Sequence, residues 1–185
     1  MYLVYGLQRS GISVIKYLKK NNLKFRIWDD DIIVRKKIKK NFDEKFFFNP
    51  INKNLGNFKK IIVSPGISLR QNIFKIKDKL NKINRDTNIY ISNLVNKKII
   101  AVTGTNGKST TTKLIGDILK KNKIKTFVGG NIGKPLCNSL ISNKNYKFHV
   151  VELSSFQLET VKNFNSKISI ITNIASDHLD KYKNI

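Results

Sequence analysis

A chain of 185 residues with 40% hydrophobic content is long enough to bury a core and to form one or two compact domains. Its 36 Lys and Arg against 12 Asp and Glu leave a net charge of +24, which ordinarily points to nucleic acid. However, 31 of the basic residues are Lys, the poorer residue for bidentate phosphate and base contacts, and they lie along the whole chain beside Asn and Ile. Solvated surface is therefore the expectation, and a nucleic-acid partner is not. No run nears the roughly 18 apolar residues of a membrane span, and "MYLVYGLQRSG" lacks a signal-peptide pattern. A cytoplasmic protein without a membrane partner follows, and the single Cys137 is read as a small buried residue.

In chain order, short β-rich runs alternate with helical patterns, the signature of βαβ units and parallel sheets. "YLVYG" (2–6) predicts a strand, and Ile12, Ile15 and Leu18 then recur at helical spacing until "KKNN". "KFRIWDDD" predicts a second strand ending in acids. "KKIIVSPG" (59–66) predicts a third, closed by a Ser-Pro-Gly turn, and "LRQNIFKIKDKLNKIN" (69–84) a helix with Ile73, Ile76, Leu80 and Ile83 on one face. The polar "NRDTN" precedes a short apolar run at 89–91. Residues 92–97 form the candidate domain boundary, because "KKIIAVTG" begins a new strand, turn and helix. The strands "KTFV" (125–128), "KFHVVE" (147–152) and "KISIIT" (167–172) follow.

The stretch "AVTGTNGKSTTTKLIG" (101–116) carries the clearest chemistry. Gly104 and Gly107 allow the backbone to wrap with its N–H groups inward, Lys108 offers a point charge to the β and γ phosphates, and the Ser109 hydroxyl suits Mg²⁺. A helix from Lys108 presents its positive end to the same anion. Val102 occupies the first glycine position of the usual phosphate loop, so the alternative of a chance glycine turn stands beside nucleotide binding. A Mg-nucleotide site needs a carboxylate at the end of a neighbouring strand, and Glu152 follows the apolar run of "FHVVELSS". Taken alone, Glu152 is equally an exposed strand end; after a phosphate loop it is expected to be a metal ligand. His178, in "ITNIASDHLD" between Asp177 and Asp180, is either a surface residue or a ligand, and the two acids are equally helix caps.

A second glycine turn opens the chain. Gly6 and Gly11 stand where a dinucleotide-binding turn needs glycines, but Gln8 replaces the middle one and would obstruct close approach to a pyrophosphate. NAD and FAD are therefore disfavoured. Asp29, about 20 residues on at the end of the second strand, could bond a ribose or base, with Arg9 offering charge in place of bare backbone.

Taken together, "TGTNGKSTTT", "GGNIGKPL", "VVELSSFQLE" and "ITNIASDHLDKY", with "GLQRSG" and "SPGI" before them, resemble the ATP-dependent Mur ligases of peptidoglycan synthesis over essentially the whole chain. The resemblance implies an α/β fold: a Rossmann-like UDP-binding domain over 1–93, then part of a P-loop parallel-sheet ATPase domain over 94–185. By matching motifs, Gly104, Thr105, Asn106, Gly107, Lys108, Ser109 and Thr110 would hold ATP, and Ser109, Glu152 and His178 would hold Mg²⁺, with Lys108, Glu152 and His178 as the catalytic set. Asn131, Ser154 and Gln157 would contact the muramoyl-alanine part of the substrate. Arg9, Ser10, Asp29, Asp30 and Gly66 would surround its uridine and pyrophosphate.

The pairing of "ELSSFQLE" with "GGNIG" implies the family reaction that adds D-glutamate to UDP-N-acetylmuramoyl-L-alanine through an acyl phosphate. Family members continue past the "DHLD" motif to a carbamylated lysine, the rest of the central sheet and a third domain. The expectation is therefore an N-terminal part, inactive alone, of an enzyme that is a monomer when complete, with an unpaired apolar sheet edge near "KISIIT". The alternatives are another Mur-type or folylpolyglutamate-type amide ligase, or a non-catalytic nucleotide-binding module.

Overall fold

The computed structural model describes residues 1–51, 55–69 and 81–176. Two parallel four-stranded sheets organise the chain. The first contains β1 (Tyr2–Tyr5), β2 (Phe25–Trp28), β3 (Lys60–Val63) and β4 (Ile83–Asn84), in the order β2-β1-β3-β4. Central β1 is apolar throughout because both its faces are covered, as in parallel sheets generally. On one face Val4, Ile27 and Ile62 pack against Val14, Ile15 and Leu18 of α1 (Arg9–Lys20), the helix predicted from the same spacing. On the other, Leu3, Tyr5, Ile61 and Val63 meet Leu55 and Phe58.

After β2 the run of acids does more than end a strand. The Asp31 side chain accepts from the backbone N–H groups of Ile33 and Val34 at 2.7 and 3.4 Å, starting α2 (Ile32–Lys39). No residue of that helix is fully buried; Val34 and Ile38, one turn apart, rest half-buried on the first core, too short an apolar stripe to mark the helix in the sequence. The helix predicted over 69–84 falls mostly outside the described residues. Its end differs from expectation: Ile83 lies in β4, paired with Ile61 and buried.

The residues read only as a short apolar run form α3 (Asp86–Asn93). Ile89 packs into the core of the first sheet, together with Cys137 of α5 (Cys137–Ile141), whereas Tyr90 enters the core of the second. The stretch near the expected boundary is thus a shared wall. Cys137 is fully buried, as read from the sequence, and the Lys20 ammonium crosses to the Ile141 carbonyl at 2.9 Å.

The second sheet contains β5 (Lys98–Thr103), β6 (Thr126–Gly130), β7 (Phe148–Glu152) and β8 (Ile168–Ile171), in the order β6-β7-β5-β8. Helix α4 (Lys108–Lys121) lies against β6 so closely that a Cβ on Gly116 would stand 2.4 Å from Val128 Cγ2. The short α6 (Ser155–Leu158) follows β7. Among the described residues β8 pairs only with β5, and Ile168 and Ile171 are 49% and 62% exposed, the apolar edge anticipated at "KISIIT".

His149 is buried among the rings of Tyr90, Phe127 and Tyr146, and among the described residues its Nδ1 has no hydrogen-bond partner. Burial, with Lys97 adding repulsion, lowers its pKa from 6.5 to about 4. The folded state therefore holds this ring neutral while the unfolded chain protonates, so its contribution is complete above pH 6.5 and is lost as pH falls towards 4. Buried Asp86, whose pKa is raised by desolvation, acts in the opposite direction, so a variant is needed to isolate the histidine. His149→Phe is expected to lose less Tm than the wild type between pH 7 and pH 4.5, measured by circular dichroism. Equal losses would contradict the assignment.

Candidate functional site

Parallel pairing brings the loops after β1, β3, β5, β6, β7 and β8 out at the carboxyl ends of their strands, where open α/β sheets bind ligands. The loop between β5 and α4 is the predicted phosphate loop. Gly104 and Gly107 hold φ of +131° and +79°, and Lys108 donates from Nζ to the carbonyls of Gly104 and Thr105, both at 2.6 Å. Among the described residues no side chain caps α4, so the first-turn amides stand as donors for an anion. Ser109 and Thr110 are exposed in that first turn.

A second loop braces the first. Thr172 donates through Oγ1 to the carbonyl of Asn106 at 2.6 Å, and Asn173 both donates to that carbonyl at 3.1 Å and accepts from the Asn106 N–H at 2.9 Å. Thr105 Oγ1 exchanges bonds with the backbone of Ala175, both at 3.1 Å. The sequence reading missed this brace, although Thr172, Asn173 and Ala175 stand in the same "ITNIASDHLD" segment that drew attention for His178. His178 itself lies outside the described residues.

Glu152 ends β7 with only 1% exposure. Its Oε2 accepts from the Ser109 hydroxyl at 2.8 Å and its Oε1 from the Asn131 amide at 2.9 Å. Three residues chosen from separate motifs thus meet at one carboxylate. Ser109 Oγ and Glu152 Oε2 are hard oxygen donors of the kind Mg²⁺ takes. Among the described residues no group of three His, Cys, Asp or Glu forms a metal cage, so a cation here would draw its remaining ligands from phosphate and water, the usual Mg²⁺ arrangement.

In the first half, Gly6 has φ of +94°, and a Cβ on Gly11 would stand 1.8 Å from the Gly6 carbonyl, so both glycines serve the tight turn. Gln8 is exposed at the start of α1. Asp29 is occupied: it accepts from the N–H of Leu7 at 2.6 Å and of Asp31 at 3.0 Å, tying the loops after β1 and β2 together. Asp30 accepts from the Tyr5 hydroxyl at 2.7 Å and Trp28 Nε1 at 3.1 Å. Arg9 reaches across the seam to donate to the Gly133 carbonyl in the "GGNIG" loop. Beside it, a cleft of about 650 Å³ opens between α1, α2 and the 133–135 loop. Arg9, Lys16, Lys37 and Lys134 line it, with no carboxylate among the described residues, a basic setting that the even spread of lysines along the sequence concealed.

The remaining residues lie at the seam. Gly66 is in a turn after β3, where among the described residues nothing lies within 4 Å of where a Cβ would stand. Ser154 and Gln157 cap α6 reciprocally: Ser154 Oγ accepts from the Gln157 N–H at 3.3 Å, and Gln157 Oε1 from the Ser154 N–H at 3.2 Å. Buried Gln157 also donates to Asp86 Oδ1 at 3.5 Å.

Two parallel sheets, one with a braced glycine loop and a buried strand-end carboxylate, define an α/β protein. Residues 1–83 match the Mur ligase MurD-like N-terminal domain and residues 102–185 the Mur ligase middle domain, and the chain belongs to the Mur ligase family. It is 39% identical over 183 residues to the UDP-N-acetylmuramoylalanine--D-glutamate ligase of Rickettsia prowazekii, covering 98% of this chain and 40% of that protein. The ligase of the same name from Clostridioides difficile is 37% identical over 188 residues, covering 97% of this chain and 41% of the relative. The chain thus spans about 40% of the length of these curated relatives.

Solved structures agree in fold. The UDP-N-acetylmuramate:L-alanyl-gamma-D-glutamyl-meso-diaminopimelate ligase from Neisseria meningitides superposes with a TM-score of 0.55 at 12% identity, over 99% of this chain and 63% of that one. The UDP-N-acetylmuramate-alanine ligase MurC of Thermotoga maritima gives 0.52 at 20% identity, over 100% and 44%.

Gly104 offers a direct test of the loop. An added Cβ would meet Thr172 Oγ1 at 2.2 Å and the Asn173 carbonyl at 2.8 Å, at a φ that side chains rarely adopt. Gly104→Ala is expected to cost about 1–3 kcal/mol in urea denaturation. Unchanged stability would show that the brace is not packed against the loop.

Proposed function

We propose that this chain supplies the UDP-substrate and ATP sites of a ligase that joins D-glutamate to UDP-N-acetylmuramoyl-L-alanine in peptidoglycan synthesis. The observation that carries the reading is the meeting of Ser109 and Asn131 on the buried carboxylate of Glu152, beside Lys108. It joins the nucleotide end of the site to the "GGNIG" loop, assigned to the muramoyl group. The basic cleft at Arg9, Lys16, Lys37 and Lys134 supports a diphosphate nearby, with Ser10, Asp29, Asp30 and Gly66 around the uridine and Ser154 and Gln157 towards the muramoyl-alanine. His178 completes the proposed metal set. The reading places the enzyme in the cytoplasm, where ATP is made available, acting as a monomer.

In the reaction, a carboxylate oxygen of the substrate attacks the γ-phosphorus of ATP, and the bond to the bridging oxygen breaks with its electron pair leaving on ADP. The amine nitrogen of D-glutamate then attacks the acyl carbon, releasing inorganic phosphate and losing a proton as the amide forms. An anion attacking a polyanion faces repulsion, so positioning and charge neutralisation do most of the catalysis. Lys108 would leave its two loop carbonyls for phosphate oxygens, and the amides of 108–110 would hold the same group. Asn131 keeps Glu152 oriented from the substrate side. Mg²⁺, held by Ser109, Glu152 and His178, would supply neutralising charge to the phosphates. No covalent enzyme nucleophile is required.

Calorimetric titration of the 185-residue chain tests this reading. UDP-N-acetylmuramoyl-L-alanine and a non-hydrolysable MgATP analogue are expected to bind saturably, and NAD not at all. Lys108→Ala is expected to weaken the ATP analogue by about tenfold to a hundredfold, the worth of a charged hydrogen bond, while leaving the UDP substrate unaffected. NAD binding in preference to the UDP substrate, or undiminished analogue binding by the variant, would contradict it. Glu152→Gln is expected to abolish the gain in analogue affinity that Mg²⁺ brings; a retained gain would place the metal elsewhere.

A further inference from the structure

Among the described residues Arg85 is the largest fully buried side chain, at 1% exposure, and stands between β4 and α3. A buried charge costs folding energy unless every donor is directed, and an apolar replacement is often as stable, so its placement calls for a reason. Its two terminal nitrogens point to different halves of the chain. Nη1 donates to the carbonyls of Ser64 at 2.6 Å and Ile67 at 2.9 Å, with Val63 further off at 3.4 Å. Nη2 donates to Glu159 Oε2 at 3.1 Å, just past α6.

On the first side, Ser64 and Ile67 close the turn that carries Gly66, through Ile67 N–H to the Ser64 carbonyl at 3.0 Å. Ser64 Oγ in turn donates to the Gly6 carbonyl at 2.9 Å, extending the connection to the glycine turn after β1. On the second side, Glu159 follows the capped helix that holds Gln157. A cavity of about 150 Å³, lined by Pro65, Ile67, Ser68 and Phe156 among others, lies between the turn and that helix. Across this gap polar contacts take the place of packing. A parallel rung joins Asn88 Nδ2 to the Thr160 carbonyl at 2.8 Å and Thr160 Oγ1 to Asn88 Oδ1 at 2.7 Å.

We propose that Arg85 is a positioning residue that fixes the spacing between the turn bearing Gly66 and the helix bearing Gln157, so that one extended UDP-sugar-peptide substrate reaches both halves at once. The inference rests on the substrate assignment made above. Only a planar fork can serve carbonyls on one side and a carboxylate on the other; a lysine ammonium could keep the carbonyls but not both.

UDP alone engages the first half, whereas UDP-N-acetylmuramoyl-L-alanine spans the seam, so the ratio of their dissociation constants reads the spacing. Calorimetry on the wild type, Arg85→Lys and Glu159→Gln, each shown by circular dichroism to be folded, provides that ratio. In Arg85→Lys the advantage of the full substrate over UDP is expected to shrink about fivefold to tenfold, the size of effect that residues between coupled sites have, with UDP affinity itself within about twofold. Glu159→Gln is expected to shift the ratio in the same direction by less, and it decides the question should Arg85→Lys not fold. An unchanged ratio in the folded variants, or an equal loss for both ligands, would reduce Arg85 to structural support and overturn the proposal. A wild type that binds UDP but not the longer substrate, or binds neither, would instead remove the substrate assignment, and the proposal with it.

Discussion

The carboxylate of Glu152 is the constraint around which the nucleotide end of the molecule is arranged. Almost wholly buried at the end of a central strand, a polar group of this kind would be strongly destabilising without donors on both oxygens. Ser109 supplies one and Asn131 the other, so the start of α4 and the loop after β6 are drawn to the same point. The main chain adds to this, with the Asn131 N–H bonded to the Glu152 carbonyl at 2.9 Å. Gly130 makes the approach possible: a Cβ there would lie 2.1 Å from that same carbonyl oxygen.

The two sheets are joined by a seam built from side chains rather than by a free linker. Ile89 and Tyr90 on α3 enter different cores, and Cys137 of α5 enters the first sheet's core from the second half. Around this apolar wall lie polar crossings: Arg9 to Gly133, Lys20 to Ile141, Arg85 to Glu159 and Asn88 to Thr160. The loops assigned to substrate lie on these crossings or next to them. Geometry at the seam is therefore as much a part of recognition as any single contact.

Much of this was legible in the sequence where a local rule sufficed. β1, β5 and β7 read as strands because they are continuous apolar runs covered on both faces. The phosphate loop announced itself because glycine, lysine and serine are each needed at fixed positions between a strand and a helix. α2 and α3 were not legible: the first only half-buries Val34 and Ile38 among basic residues, and the second is preceded by Arg85 and begins with Asp86, polar residues buried by partners distant in sequence. Arg85 and Glu159 are 74 positions apart, and Thr172 bonds a carbonyl 66 positions away, so neither the strut nor the brace leaves a periodic or motif-scale signal. The acids after β2 were found, but their commitments to backbone and ring donors depend on how two loops meet.

The central claim is that the loop at 104–109 holds the phosphates of a Mg-nucleotide and is supported from the 172–175 segment. Hydrogen–deuterium exchange of the chain, with and without a saturating non-hydrolysable MgATP analogue, tests it most directly. The account predicts slowed exchange at 104–110 together with 172–175, and no change at the opposite end of the sheet around 123–125. Protection absent from the phosphate loop, or confined to a region away from it, would contradict the account.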